Sequence, residues 1–187
     1  GSEMCIRDRV RAAADEFGAL VIADEVQCGI GRTGTLFAYE TSGIRPDIIA
    51  VAKGLGGGFP VGAVIASEAV GNAMTPGTHG STFAGNPLAM AVAEVVLDEL
   101  GAPGFLEGVR RRASIMRDSL QAVADRYEGA VVELRGRGFL CGVRLADALP
   151  AGDAVAAMRE ENLLTVPAGE NTVRFLPPLV ILSLIHI

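Results

Sequence analysis

Lysine is nearly absent from this chain of 187 residues: of its sixteen basic residues only Lys53 is a lysine, and every other is an arginine. The bias matters because an amine can lose its proton and attack a carbonyl, whereas a guanidinium stays charged and cannot. Aromatic residues make up only 5% and tryptophan is missing, while alanine and glycine are abundant. Such small-residue composition suits an α/β protein whose helices pack closely on a sheet. The three cysteines, Cys5, Cys28 and Cys141, are odd in number and widely spaced. They give neither a disulfide framework nor a zinc pattern, and they fit a reducing cytoplasm. No apolar run is long enough to span a bilayer. The net charge is −6, and the one basic cluster, Arg110-Arg111-Arg112, falls on an expected helix. It reads as a solvated face and argues against nucleic-acid binding. The length suffices for one sizeable core, or for one domain and part of another.

What is present centres on residues 48–58, Ile-Ile-Ala-Val-Ala-Lys-Gly-Leu-Gly-Gly-Gly. This is a buried strand that ends in Lys53 and opens into a glycine-rich loop. A lysine at a buried strand end is placed to act as a nucleophile, although a strand-end lysine reaching into solvent reads the same locally. Before it, 10–17 is a short helix with Gly18 at the position of a left-handed cap. Residues 19–23 form an apolar run expected as a strand covered on both faces of a parallel sheet. That run ends in Asp24-Glu25, and ligands of open α/β sheets sit beyond the carboxyl ends of the strands. The loop Cys28-Gly29-Ile30-Gly31-Arg32-Thr33-Gly34 matches neither a dinucleotide fingerprint nor a P-loop. A third apolar strand is expected at 61–66, then a helix to residue 74 capped by Ser67. The segment Gly77-Thr78-His79-Gly80-Ser81-Thr82-Phe83-Ala84-Gly85 sets hydroxyls among glycines, as an anion site does, and as an ordinary turn-rich loop does too. Asn86-Pro87 starts a helix with Leu88, Val92, Val95, Val96 and Leu100 as its packing face.

From residue 103 the pattern changes to α+β. A charged helix at 103–127 carries the stripe Leu106, Val109, Ile115, Leu120 and Val123. Strands follow at 130–134 and 139–145, then a helix at 155–161 and short strands at 163–166 and 172–175. Arg174 lies on the last of these, before Pro177-Pro178. A guanidinium there suits bidentate capture of a carboxylate, or is a surface arginine on an edge strand. The domains are therefore expected at 10–102 and 103–181. The ends 1–9 and 182–187 read as foreign to the fold.

An acid at one strand end, the sole lysine at the next, a hydroxyl–glycine loop and a strand arginine form the set a pyridoxal 5′-phosphate enzyme requires of its protein. Asp24-Glu25-Val26-Gln27, Gly29-Ile30-Gly31-Arg32-Thr33-Gly34, Ala52-Lys53-Gly54-Leu55 and the segment from His79 to Pro87 resemble, in order, the class III aminotransferases. The resemblance implies fold type I: the C-terminal part of the large domain, a mostly parallel sheet with helices on both faces, followed by a small α+β domain. It implies that Lys53 forms the Schiff base with the cofactor and moves the proton of the 1,3-transfer. Asp24 would pair with the pyridine nitrogen, Val26 pack on the ring and Gln27 reach the 3′-oxygen. Ser81 and Thr82 would bind phosphate, Thr82 that of a neighbouring subunit in a homodimer with shared active sites. Arg174 would hold the substrate carboxylate. Leu163-Leu164-Thr165-Val166-Pro167-Ala168-Gly169 and Val173-Arg174-Phe175-Leu176-Pro177-Pro178-Leu179 point to members that take an amino group from N2-acetylornithine and give it to 2-oxoglutarate. Ornithine, 4-aminobutyrate or another ω-amine is the alternative donor, and a non-catalytic α/β module is the alternative class. Chains of the family are about twice as long. The missing half would supply a second phosphate loop and a ring-stacking aromatic, so this piece is expected to be inactive alone.

Overall fold

The computed structural model describes residues 6–181. Of the two ends expected to be foreign, 1–5 and 182–187 lie outside the described residues. Residues 6–9 do not stand apart from the fold: they are the first turn of helix α1, Ile6–Phe17. The chain divides into two compact units, Gly1–Phe105 and Leu106–Ile187.

The first unit is built on a three-stranded sheet in the order β1 (Ile22–Asp24), β2 (Ile48–Val51), β3 (Ala63–Ala66). Helix α1 ends as expected: Gly18 takes φ +64°, and Ala19 N–H reaches back to Ala14 O at 2.8 Å. Glycine adopts that left-handed turn without the Cβ penalty. β1 pairs with β2 in parallel, with Asp24 opposite Ala50. β2 pairs with β3 antiparallel, with Val51 opposite Ala63. An apolar run carries no direction, so the reversal at β3 was invisible in sequence.

The strands are also shorter and more exposed than expected. Ile22 is 63% exposed and Val64 71%, so the double-sided cover predicted for β1 and β3 is not supplied by the described residues. The cover is one-sided even on α3 (Pro87–Gly101). Its start is as predicted, with Asn86 Oδ1 accepting from Ala89 N–H at 2.9 Å. Its buried face, however, is Ala89, Ala93 and Leu100, while Leu88 and Val95 are exposed. Val96 of the same helix meets the glycine run 56–58: a Cβ built on Gly57 would lie 3.1 Å from Val96 Cγ2, and the missing side chain allows that approach. The helix expected to reach residue 74 is only α2 (Glu68–Gly71), and Ser67 gives it no side-chain cap.

The amino end of the sheet is closed by Asp47. Its Oδ2 accepts from Val21 N–H and from Arg11, each at 2.7 Å, and Arg11 also pairs with Asp15. The Val21 N–H first, and Arg11 next, hold the Asp47 carboxyl below its ordinary value of 3.8. The folded state thus binds this proton less readily than the unfolded chain does. The stabilisation is complete above the ordinary value and is lost as pH falls through the lowered one. Asp47→Asn is expected to flatten the fall of the thermal midpoint between about pH 5 and pH 2. An unchanged acid limb would show that the clamp carries no acid stability.

The second unit contains α4 (Phe105–Arg126), α5 (Ala151–Glu160) and a four-stranded antiparallel sheet in the order β4-β5-β7-β6. The strands are β4 (Val131–Arg137), β5 (Leu140–Leu145), β6 (Val166–Ala168) and β7 (Thr172–Phe175). The β4–β5 hairpin closes so tightly that a Cβ on Gly136 would lie 2.0 Å from Leu140 O. The predicted stripe of α4 is only partly its buried face. Val109 is buried with Gly108, Ala113 and Met116, whereas Ile115 and Val123 are exposed. The core here is Phe139, Val173, Met116 and Val109. Among the described residues, no helix is long and apolar enough to cross a membrane.

Candidate active site

Two strands running the same way deliver their carboxyl ends to one end of the sheet. Asp24 is the last residue of β1, and Glu25 N–H continues the pairing by donating to Ala50 O at 2.9 Å. Lys53 stands two residues past the end of β2, at the start of the 3₁₀ turn Lys53–Gly56. Its backbone is in the left-handed region at φ +46°, which for a residue other than glycine is strained and recurs at functional sites. The lysine expected at a buried strand end is in fact exposed. The turn lifts it off the sheet, and it forms no hydrogen bond or ion pair among the described residues.

Asp24 is likewise exposed. Its Oδ1 accepts from Val26 N–H at 3.1 Å, which fixes the carboxylate and leaves Oδ2 available to a ligand. Val26 and Gln27 follow on the same turn, both half-buried. A third loop enters this end of the sheet ahead of β3. There Gly62 lies so close to β2 that a Cβ on it would be 3.2 Å from Val51 O. Ser81 and Thr82 belong to the segment 71–85, which is exposed throughout. Arg174 is on β7 of the second unit, half-buried and opposite Gly142 and Val166 in register. The first unit thus brings together Asp24, Val26, Gln27 and Lys53.

Sequence reasoning noted Glu25 only as a second acid beside Asp24, yet it organises the loop. It is 3% exposed, and its carboxylate accepts from Ala38 N–H at 2.9 Å and Tyr39 N–H at 2.8 Å. Both donors open the 3₁₀ turn Ala38–Ser42, where backbone N–H groups lack internal partners. Cys28 Sγ donates to the same carboxylate at 3.2 Å. Burial first, then this bond, pushes the Cys28 thiol up to about 11, so it is held protonated and is not a nucleophile. Glu25→Ala strands two buried donors and is expected to cost about 2 to 4 kcal/mol in a urea titration. A loss below about 1 kcal/mol would show that water satisfies them. Among the described residues no group of three or more His, Cys, Asp or Glu is placed to hold a metal.

An exposed amine and a fixed carboxylate at neighbouring strand ends fit a cofactor that needs a carbonyl partner and a counter-charge for a ring cation. The Aminotransferase class-III family profile matches residues 5–184. The acetylornithine aminotransferase of Mesorhizobium japonicum is 51% identical over 173 residues, covering 92% of this chain and 43% of its own. Among solved structures, N-acetylornithine aminotransferase from Stenotrophomonas maltophilia superposes with a TM-score of 0.83 at 38% identity, over 94% of this chain and 46% of that one. Ornithine aminotransferase from Toxoplasma gondii superposes at 0.89 with 36% identity, over 96% and 43%, and is described with PLP in partial occupancy at its active site. The chain therefore spans less than half the length of these relatives.

Proposed function

Starting from a chain that belongs to the class III aminotransferases, a PLP-dependent family, we propose that it contributes to transamination between N2-acetylornithine and 2-oxoglutarate. The observation that carries the reading is the placement of Asp24 at the carboxyl end of β1 and of Lys53 just past the carboxyl end of its parallel neighbour β2. Bound there, pyridoxal 5′-phosphate supplies an electron sink that no amino-acid side chain provides. The Lys53 amine would hold the cofactor by condensing with its carbonyl carbon with loss of water, and its Nζ would move a proton once a substrate amine has taken its place. The Asp24 carboxylate holds the ring nitrogen cationic. Val26 packs against the ring and Gln27 donates to its oxygen. Ser81 and Thr82 bind phosphate, Thr82 in a neighbouring copy of a homodimer. The exposure of the segment 71–85 supports that reach to another chain. Arg174 takes the substrate carboxylate. Residues 10–102 then form part of the cofactor-binding domain and 103–181 the small domain.

The likeness to ornithine aminotransferase structures supports a second reading, in which ornithine is the donor. The test is parallel turnover by a full-length parent enzyme on N2-acetylornithine, ornithine and 4-aminobutyrate with 2-oxoglutarate. The expected preference, in kcat/KM, is for the acetylated donor by at least about 100-fold, the range that one missing recognition group gives. Equal or greater turnover of ornithine overturns the substrate assignment and leaves the family chemistry standing.

A further inference from the structure

The turn that presents Lys53 is packed by Val61 at Gly56, where a Cβ would lie 2.8 Å from Val61 Cγ1, and by Ile30 at Gly54. Ile30 is 3% exposed, and it lies against Gly54, the residue directly after Lys53. A Cβ built on Gly54 would be 3.3 Å from Ile30 Cβ and 3.4 Å from its Cγ2. Ile30 is itself in the left-handed region at φ +53°, an unfavourable place for a β-branched residue. Such a conformation persists only where its surroundings over-determine it.

Those surroundings lead back to Glu25. Gly29 N–H donates to Glu25 O at 3.0 Å, and Gly31 N–H to Leu36 O at 3.2 Å. A Cβ on Gly29 would meet Glu25 O at 2.8 Å, so the loop sits directly on that residue. Glu25 in turn is bonded to β2 through Ala50 and to the Ala38–Ser42 turn through its carboxylate. A rigid path therefore runs from the sheet through Glu25 and the glycine loop to Ile30, and from Ile30 to the Lys53–Gly54 backbone.

We propose that Ile30 is a positioning residue for Lys53, setting the left-handed turn that aims the amine by its contact with Gly54. The proposal rests on the role given to Lys53 above. Ile30 is in the left-handed region, as is Lys53, and it packs on Gly54, the residue directly after Lys53, so a shift of either loop displaces the other. Ile30 touches no reacting atom, and its effect is on where Nζ stands. A misplacement of the reacting amine lowers the rate of chemistry and leaves substrate affinity, which the second unit's Arg174 serves, largely unchanged.

The experiment is a contact swap in the holoenzyme. Gly54→Ala adds a methyl 3.3 Å from Ile30 Cβ, so the facing isoleucine must give by a few tenths of an ångström. Ile30→Gly removes that contact and suits its φ. Each single change is expected to lower kcat by about tenfold with KM within about twofold, since positioning and not binding is lost. The combined change puts the methyl into the vacated space and is expected to recover most of kcat, a coupling that independent sites do not show. The second readout avoids turnover. In cofactor-stripped protein, acetylation of Lys53, followed by mass spectrometry of its peptide, should change severalfold in each single variant and return in the pair. Additive losses in the pair, or unchanged acetylation in both singles, overturn the proposal. Should Ile30→Gly fail to fold, Gly54→Ala alone decides: kcat within about twofold of the parent sinks the inference. Loss of borohydride-trappable cofactor in Lys53→Arg alongside unaltered Gly54→Ala separates failure here from failure of the lysine's assigned role.

Discussion

Lys53→Arg is expected to lower transamination by on the order of 10⁴-fold or more while the thermal midpoint stays near that of the parent. The guanidinium keeps the positive charge and similar length, and Lys53 is exposed with no bond to lose, so folding has little reason to suffer. What disappears is the only side-chain amine in the chain. Arginine can neither form the covalent link to a carbonyl nor release a proton near neutral pH. The measurement is twofold, made in a full-length parent enzyme carrying this segment: turnover with N2-acetylornithine and 2-oxoglutarate, and recovery of a borohydride-reduced cofactor adduct on the peptide around residue 53. An adduct that persists in the variant on another residue would refute the assignment of Lys53.

Asp24→Asn is the second large effect. Asparagine is isosteric, and its side-chain oxygen can still accept from Val26 N–H, the bond that fixes Asp24 at 3.1 Å. The loop should therefore hold its shape. The neutral amide cannot balance a ring cation, so the electron sink weakens while cofactor binding persists in part. A loss in kcat of about 10² to 10³-fold is expected, the magnitude associated with removing one preorganised electrostatic partner. Titration of the cofactor should show binding weakened by much less. Unchanged turnover would remove Asp24 from the chemistry and leave it as an exposed strand-end acid.

Which parts were readable in the sequence follows from what each residue's signal depends on. Asp24 and Lys53 could be placed because each ends an apolar run, and the end of a run is visible in one dimension. The packing face of α3 could not be read from Leu88 and Val95, which are exposed, because the small residues Ala89 and Ala93 are buried in their place. Glu25 was indistinguishable from Asp24 until the fold showed it buried, with two backbone N–H groups of a distant turn converging on its carboxylate, whereas the exposed Asp24 takes only the N–H of its near neighbour Val26. Ile30 carried no local signal at all. Its importance lies in a contact with Gly54, and in a φ that an isoleucine rarely adopts.

The pairing of β2 with a parallel strand on one side and an antiparallel strand on the other has a consequence for how such a protein can change. Asp24, Val26, Gln27 and Lys53 hang from one rim of the sheet, on the turn after β1 and the turn after β2, beside the glycine approach to β3. The opposite rim is tied off by a single residue. Asp47 gathers Val21 and Arg11 through its carboxylate, and its carbonyl accepts Ser67 N–H at 2.9 Å. The two rims can therefore vary on separate terms. Substitutions around Asp47 would reset how much heat or acid the unit withstands without touching what it catalyses. Lengthened or rebuilt loops on the Lys53 rim would alter the reaction while drawing on tolerance secured at the far side. A lineage seeking new substrates would accumulate differences at one rim, and one moving to a new temperature would accumulate them at the other.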